Sequence, residues 1–127
     1  MPKKILVVED TVDTRELIHL HLLREGYTVI VAANGQEGLY LASVEHPDLI
    51  ISDLNMPGMD GIQMTKQLRA EADLKRIPIL ILTALGRDFM DRAIKAGANR
   101  AMSKRVLFDE LSEDVRELLI ESHQHEQ

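Results

Sequence analysis

Leu49-Ile-Ile-Ser-Asp53-Leu-Asn-Met-Pro57-Gly58-Met-Asp60-Gly61 joins a buried-type strand to a carboxylate and then to a run of turn residues. Three apolar residues and Ser52 lead into Asp53, so a strand carries this aspartate to the edge of a sheet. Pro57-Gly58 and Asp60-Gly61 then turn the chain before a helix begins. The expected place of Asp53 is therefore the carboxyl end of a strand, the edge at which open parallel α/β sheets bind ligands. Taken alone, the same stretch also fits an aspartate that merely caps a loop.

Outward from this stretch the chain alternates strand-like and helix-like segments. Toward the N-terminus, Ile5-Leu6-Val7-Val8 is a continuous apolar run of the kind found in strands covered on both faces, and it ends in Glu9-Asp10. Asp13 with Glu16 reads as the capping box of a first helix ending near Glu25, with Gly26 closing it in the left-handed conformation. Leu17, Ile18 and Leu22 are its expected buried stripe, with His21 on the same side as a packed or rim histidine. Residues 27–33 form a second strand, and a helix follows over 36–45 with Leu39, Leu41, Ala42 and Val44 as apolar surface.

Toward the C-terminus, Asp60 is placed to cap a third helix whose inward residues are Ile62, Met64, Leu68 and Ala72. Ile79-Leu80-Ile81-Leu82 is another doubly covered strand and ends in Thr83. A fourth helix spans 87–96 and closes at Gly97; the less apolar stretch 99–103, an expected edge strand, delivers Lys104. The last helix buries Phe108, Leu111, Val115 and Leu118. Five such units predict an α/β, three-layer flavodoxin-like (βα)5 sandwich with a parallel five-stranded sheet in the order 2-1-3-4-5. The domain is expected over 1–122, with a short polar tail at 123–127.

Composition narrows the function. Fifteen Lys and Arg against 21 Asp and Glu give a net charge of −6, which argues against general affinity for nucleic acid. With no cysteine there is no disulfide framework, thiol nucleophile or Cys-based zinc site. His19 and His21 are two apart on a helix and do not share a face, so the histidines lack metal-ligand spacing. No apolar run approaches the roughly 20 residues that span a bilayer, and no secretory segment precedes the first strand, so a cytoplasmic location without membrane contact is expected.

In the predicted strand order, Glu9, Asp10, Asp53, Thr83 and Lys104 all gather in one crevice. Carboxylates about 4 Å apart repel by roughly 4 kcal/mol per pair at an effective dielectric near 20, and Lys104 offsets one charge only. Such a site must protonate, pair or take up a cation. Mg2+ is the natural partner, because it prefers a few hard oxygen ligands and is completed by a phosphate oxygen. A carboxylate beside it can attack phosphorus while the lysine and the hydroxyl stabilise the equatorial oxygens. The bland reading is an ion-pair cluster without chemistry.

These residues carry a family resemblance over about Lys3 to Leu119. Val7-Val8-Glu9-Asp10, the run from Asp53 to Gly61, Thr83-Ala84 and Lys104 together resemble a receiver domain of two-component response regulators. The resemblance implies that Asp53 is a phosphoacceptor served by a histidine kinase or a histidine phosphotransfer protein. It implies Mg2+ held by Asp10, Asp53 and the backbone carbonyl of Asn55, with Glu9 acting through water. Thr83 and Lys104 would then contact the phosphoryl oxygens. The implied protein is not a turnover enzyme; it assists its own phosphorylation and its slow autodephosphorylation, the latter tuned by Asn55 and Leu85.

Two positions depart from the family pattern: Ala101 stands where an aromatic residue is usual, and Arg105 where a proline is usual. They motivate a competing reading, a receiver-like interaction module that works without phosphorylation. An aspartate-nucleophile phosphatase is disfavoured because Asn55 stands where its second acid belongs, and a flavin protein because Glu9-Asp10 would repel a phosphate. With few residues after the last helix, output is expected through a downstream protein target. A monomer or a weak homodimer through the fourth helix, fifth strand and fifth helix is expected, since that face mixes Arg87, Arg92, Lys95 and Arg100 with Asp91, Asp109, Glu110 and Glu113.

Overall fold

In the computed structural model, which describes residues 2–105 and 108–126 with side chains as far as Ser122, strands and helices alternate throughout. They are β1 (Lys4–Val8), α1 (Val12–Arg24), β2 (Thr28–Ala32), α2 (Gly35–Glu45), β3 (Leu49–Asp53), α3 (Gly61–Ala70), β4 (Ile79–Thr83), α4 (Arg87–Ala96), β5 (Arg100–Ser103) and α5 (Phe108–Glu126). The strands form one sheet in the order β2-β1-β3-β4-β5, with every pair parallel. This is the predicted architecture. The backbone of α5 continues through 123–126, the stretch expected as a tail, whose side chains lie outside the described residues.

The alternation of side chains along each strand divides the apolar runs between two cores. Ile5, Val7, Leu49, Ile51, Leu80 and Leu82 pack with Ile18 and Leu22 of α1 and Leu111, Val115 and Leu118 of α5. Leu6, Val8, Ile50, Ile79 and Ile81 face the other way, toward Ala42 of α2, Met64 and Leu68 of α3 and Ala93 of α4. Each fully buried Leu or Ile contributes about 1.5–3 kcal/mol relative to exposure. A strand that feeds both layers must be apolar without interruption, which is why these runs do not alternate. β5 is half-buried along its length, as an edge strand with a sparser apolar pattern should be.

Helix starts follow local chemistry. Asp60 accepts the Gln63 N–H at 2.8 Å, and the Gln63 side chain accepts the Asp60 N–H at 3.0 Å, so α3 begins with a complete capping box. Asn34 caps α2 through the Glu37 N–H. At α1 the expectation fails: the helix begins at Val12 behind Thr11, which makes no side-chain cap bond, and Asp13 lies inside the first turn rather than capping it. There its charge still complements the positive end of the helix. Gly26 has φ +95°, the left-handed closure expected of it.

Several apolar residues expected inside face solvent. Leu17 is exposed because α1 meets the sheet through Ile18 and Leu22, which leaves the preceding position about a quarter turn away. Val44 is exposed, Leu39 and Leu41 pack only partly against the core, and Ala72 is exposed beyond the end of α3. Phe108 is also partly exposed, at 42%, with its ring stacked on His21 at 4.6 Å. His21 is the packed histidine expected, with Nε2 2.7 Å from Ser112 Oγ.

Candidate phosphoryl and cation site

Asp53 is the last residue of β3 and is paired in register with Leu82, while Thr83 is paired with Ser103. The strand ends thereby bring Asp53, Thr83 and Lys104 to one edge of the sheet. Glu9 follows β1, and its N–H donates to Ala32 O at 3.0 Å, extending the ladder by one residue. The loop after Asp53 folds back tightly: Gly61 N–H donates to Leu54 O at 2.8 Å, and a Cβ on Gly61 would collide with the Asp53 carbonyl. Only glycine permits that approach.

Lys104 Nζ lies 2.9 Å from Glu9 Oε1 and 2.9 Å from Asp53 Oδ2. Both acids are nearly sealed, at 2% and 6% exposure, so these are charge-assisted bonds with little competition from water. Asp53 Oδ1 accepts the Asn55 N–H at 3.3 Å. Glu9, Asp10 and Asp53 each offer a carboxylate oxygen within 4.8 Å of the others. Three carboxylates against one ammonium leave two negative charges.

Burial pushes the Glu9 carboxyl up from its ordinary value, Lys104 works against this, and the Asp53 charge adds to it. Burial alone would lower Lys104, but its hydrogen bonds to Asp53 and Glu9 outweigh that and the net direction is up.

Asp10 Oδ1 is buried and has no hydrogen-bond partner. An orphaned buried carboxylate oxygen is costly. Here it belongs to an all-oxygen set of hard donors with excess negative charge, and the set fits a hard divalent cation such as Mg2+. A groove of about 360 Å³ lined by Asp10, Asn34, Gln36, Pro57, Gly58 and Met59 opens beside this acid.

Thr83 is fully buried. Its Oγ1 accepts the Leu85 N–H at 2.9 Å, and its carbonyl accepts the Lys104 N–H at 2.9 Å. The residue thus holds both the loop before α4 and the start of the lysine loop. The side chain of Asn55 is exposed, and the observed bond of that residue is made by its backbone. No cis peptide bond occurs among the described residues.

Sequence reasoning missed two contributors. By sequence Gly61 reads as a turn residue, whereas in the fold its importance is close packing on the Asp53 carbonyl. Arg15 Nη1 donates to Glu9 O at 2.9 Å. The available signal was a cation near the amino end of a helix, where the dipole disfavours positive charge.

A model of the response regulator receiver domain matches residues 5–116. The chain is 41% identical over 119 residues to a probable transcriptional regulator, ycf27, of Cyanophora paradoxa, covering 92% of this chain and 48% of that protein. It spans about half the length of the first curated relatives it matches. A putative response regulator from Chloroflexus aurantiacus superposes with a TM-score of 0.91 at 33% identity, covering 94% of this chain and 99% of that one. The receiver domain of the sensor histidine kinase PA1611 from Pseudomonas aeruginosa, whose structure has a magnesium ion coordinated in the active site cleft, superposes with a TM-score of 0.85 at 30% identity, covering 94% and 98%.

Five parallel βα units in the order 2-1-3-4-5, with an acidic cluster at their carboxyl edge, define a flavodoxin-like α/β domain. Within that class, this chain belongs to the response regulator receiver domain family of two-component systems. Receivers are signalling domains rather than classical enzymes, and they interact with histidine kinases or phosphotransfer proteins and with downstream targets. No helix among the described residues is long and apolar enough to cross a membrane.

Proposed function

We propose that this receiver takes a phosphoryl group onto Asp53 from the phosphohistidine of a histidine kinase or a histidine phosphotransfer protein, with Mg2+, and passes the signal on by binding a further protein. The observation that carries the reading is the Lys104 ammonium set between two sealed carboxylates. Its contacts leave the Asp10 oxygen free for a cation. Asp10, Asp53 and the Asn55 carbonyl would hold that cation, with Glu9 acting through water. When bound, Mg2+ supplies charge neutralisation at the phosphoryl oxygens.

A carboxylate oxygen of Asp53 attacks phosphorus as the phosphorus–nitrogen bond of the donor breaks, and the imidazole leaves with the electron pair and picks up a proton from solvent. Lys104 exchanges its bond to Asp53 for one to a phosphoryl oxygen. Thr83 Oγ1 is an acceptor in its bond with Leu85, so its proton remains available for another phosphoryl oxygen. Hydrolysis of the acyl phosphate needs an oriented water, and Leu85, two residues after Thr83, offers no side-chain polar group for this. A long-lived phosphoryl group is therefore part of the proposal.

Incubation with acetyl phosphate and Mg2+, read by intact mass, should give a single phosphoryl adduct that hydroxylamine removes. Asp53→Asn should abolish the adduct and leave the thermal melt intact. An unlabelled wild-type protein would instead favour an interaction module independent of phosphorylation, the reading that Ala101 and Arg105 motivate.

A further inference from the structure

We infer that Arg15 is a positioning residue for the cation site: by holding the Glu9 carbonyl, it sets the direction in which Asp10 presents its carboxylate. This rests on the receiver reading above. The Glu9 N–H is spent on the β2 ladder through Ala32 O, and the Glu9 carboxylate is spent on Lys104. The Glu9 carbonyl is left at the point where the chain quits the sheet, and Arg15 Nη1 donates to it at 2.9 Å from one turn inside α1. That carbonyl and the Asp10 N–H belong to one planar peptide unit. Fixing the oxygen fixes the plane from which the Asp10 Cα departs.

The side chains of the next two residues add no such restraint at the atoms that could supply it. Thr11, the residue before α1, makes no side-chain cap bond. Asp10 Oδ1 is buried without a partner, so no hydrogen bond at that oxygen aims it into the site. Arg15 meets the backbone rather than either acid, and it does so near a helix start that disfavours a cation. The contact explains why an arginine stands there.

The sign of the effect separates positioning from simple electrostatics. A positive charge near the acids opposes Mg2+, so on charge alone its removal would tighten binding. Positioning predicts the reverse. Calorimetric Mg2+ titrations of wild type, Arg15→Met, Arg15→Lys and Asp10→Asn, paired with thermal melts and amide spectra, make the test. Arg15→Met and Arg15→Lys should each weaken Mg2+ affinity on the order of tenfold, as loss of a supporting contact around a metal ligand does. The amides of Asp10 and Thr11 should shift in both.

Unchanged or tightened binding in Arg15→Met overturns the inference. If that variant does not fold, Arg15→Lys decides: weakened binding supports positioning, and wild-type affinity overturns it. A wild type that binds no Mg2+ sinks the receiver reading together with this one. A wild type that binds normally, beside an Arg15→Met that binds as well, sinks this one alone.

Discussion

Glu9 is the residue at which the fold and the site pull in opposite directions. Burial raises its pKa, so the metal-free fold favours the neutral form more than the unfolded chain does. A raised folded value means a stabilising contribution fully present below the ordinary 4.5 and lost as pH rises through the folded value. Glu9→Gln cannot titrate. In Mg2+-free buffer the wild type should therefore lose stability relative to Glu9→Gln as pH climbs from about 4 toward neutrality. Urea unfolding at several pH values measures this, and a stability difference that stays constant across the range would refute it. Lys104 is also raised, so its contribution is intact below 10.5 and is lost only at higher pH.

At the level of elements, two arginines make superficially similar clusters with different consequences. Arg69 on α3 donates Nε to Gly97 O at 2.9 Å, Nη1 to Lys75 O at 3.0 Å and Ile77 O at 2.8 Å, and Nη2 to Asn99 Oδ1 at 2.9 Å. It thereby ties the end of α3 to the loop before β4, the close of α4 and the start of β5. Backbone carbonyls cannot move away when it is removed. Arg100 on β5 meets Asp114, Glu117 and Glu121 of α5, and Glu117 and Glu121 are more than half exposed and can turn to water. Arg69→Ala should cost about 2–4 kcal/mol, whereas Arg100→Ala should cost about 1 kcal/mol or less. Denaturant melts giving equal losses would contradict this ranking. Neither change should alter phosphorylation of Asp53.

For the whole molecule, the question is how occupancy of the site reaches a partner. Ala101 packs against the core and has no ring to rotate, so β5 lacks a two-position side chain there. Thr83 offers another route: it accepts the Leu85 N–H, and if its hydroxyl moves as well as donates toward a phosphoryl oxygen, that bond would lengthen or break and free the loop before α4. Beryllofluoride with Mg2+ should perturb amides from Thr83 to Met90 more than those of β5. Largest shifts at Arg100 to Met102 would refute the loop route. On the face of α4, β5 and α5, Arg87 and Lys95 are exposed, Arg92 lies over the Phe89 ring at 4.9 Å, and Arg100 is engaged with α5. Exposed pairs are worth about 0–1 kcal/mol each, so any homodimer through this face should be weak and should dissociate near 0.5 M salt. Sedimentation finding a salt-resistant dimer would place the association elsewhere.

The sequence by itself determined the order of elements, the doubly covered strands and the acids at their ends, because these follow from local patterns. Ile79-Leu80-Ile81-Leu82 reads as a buried strand wherever it lies, and Asp60 caps α3 through a residue only three positions away. Tertiary structure decided which apolar residues are inside: Leu17 and Ile18 are equally apolar, and the docking angle of α1 buries only the second. It also decided what Lys104 does. One ammonium reaching both Glu9 and Asp53 depends on β1, β3 and β5 ending at the same level, a matter of register between segments as much as 95 residues apart. The Arg15 contact escaped the sequence for a related reason: a cation near a helix start marks the position as unusual but does not name the backbone carbonyl it meets. Such bonds exist only once the chain has turned.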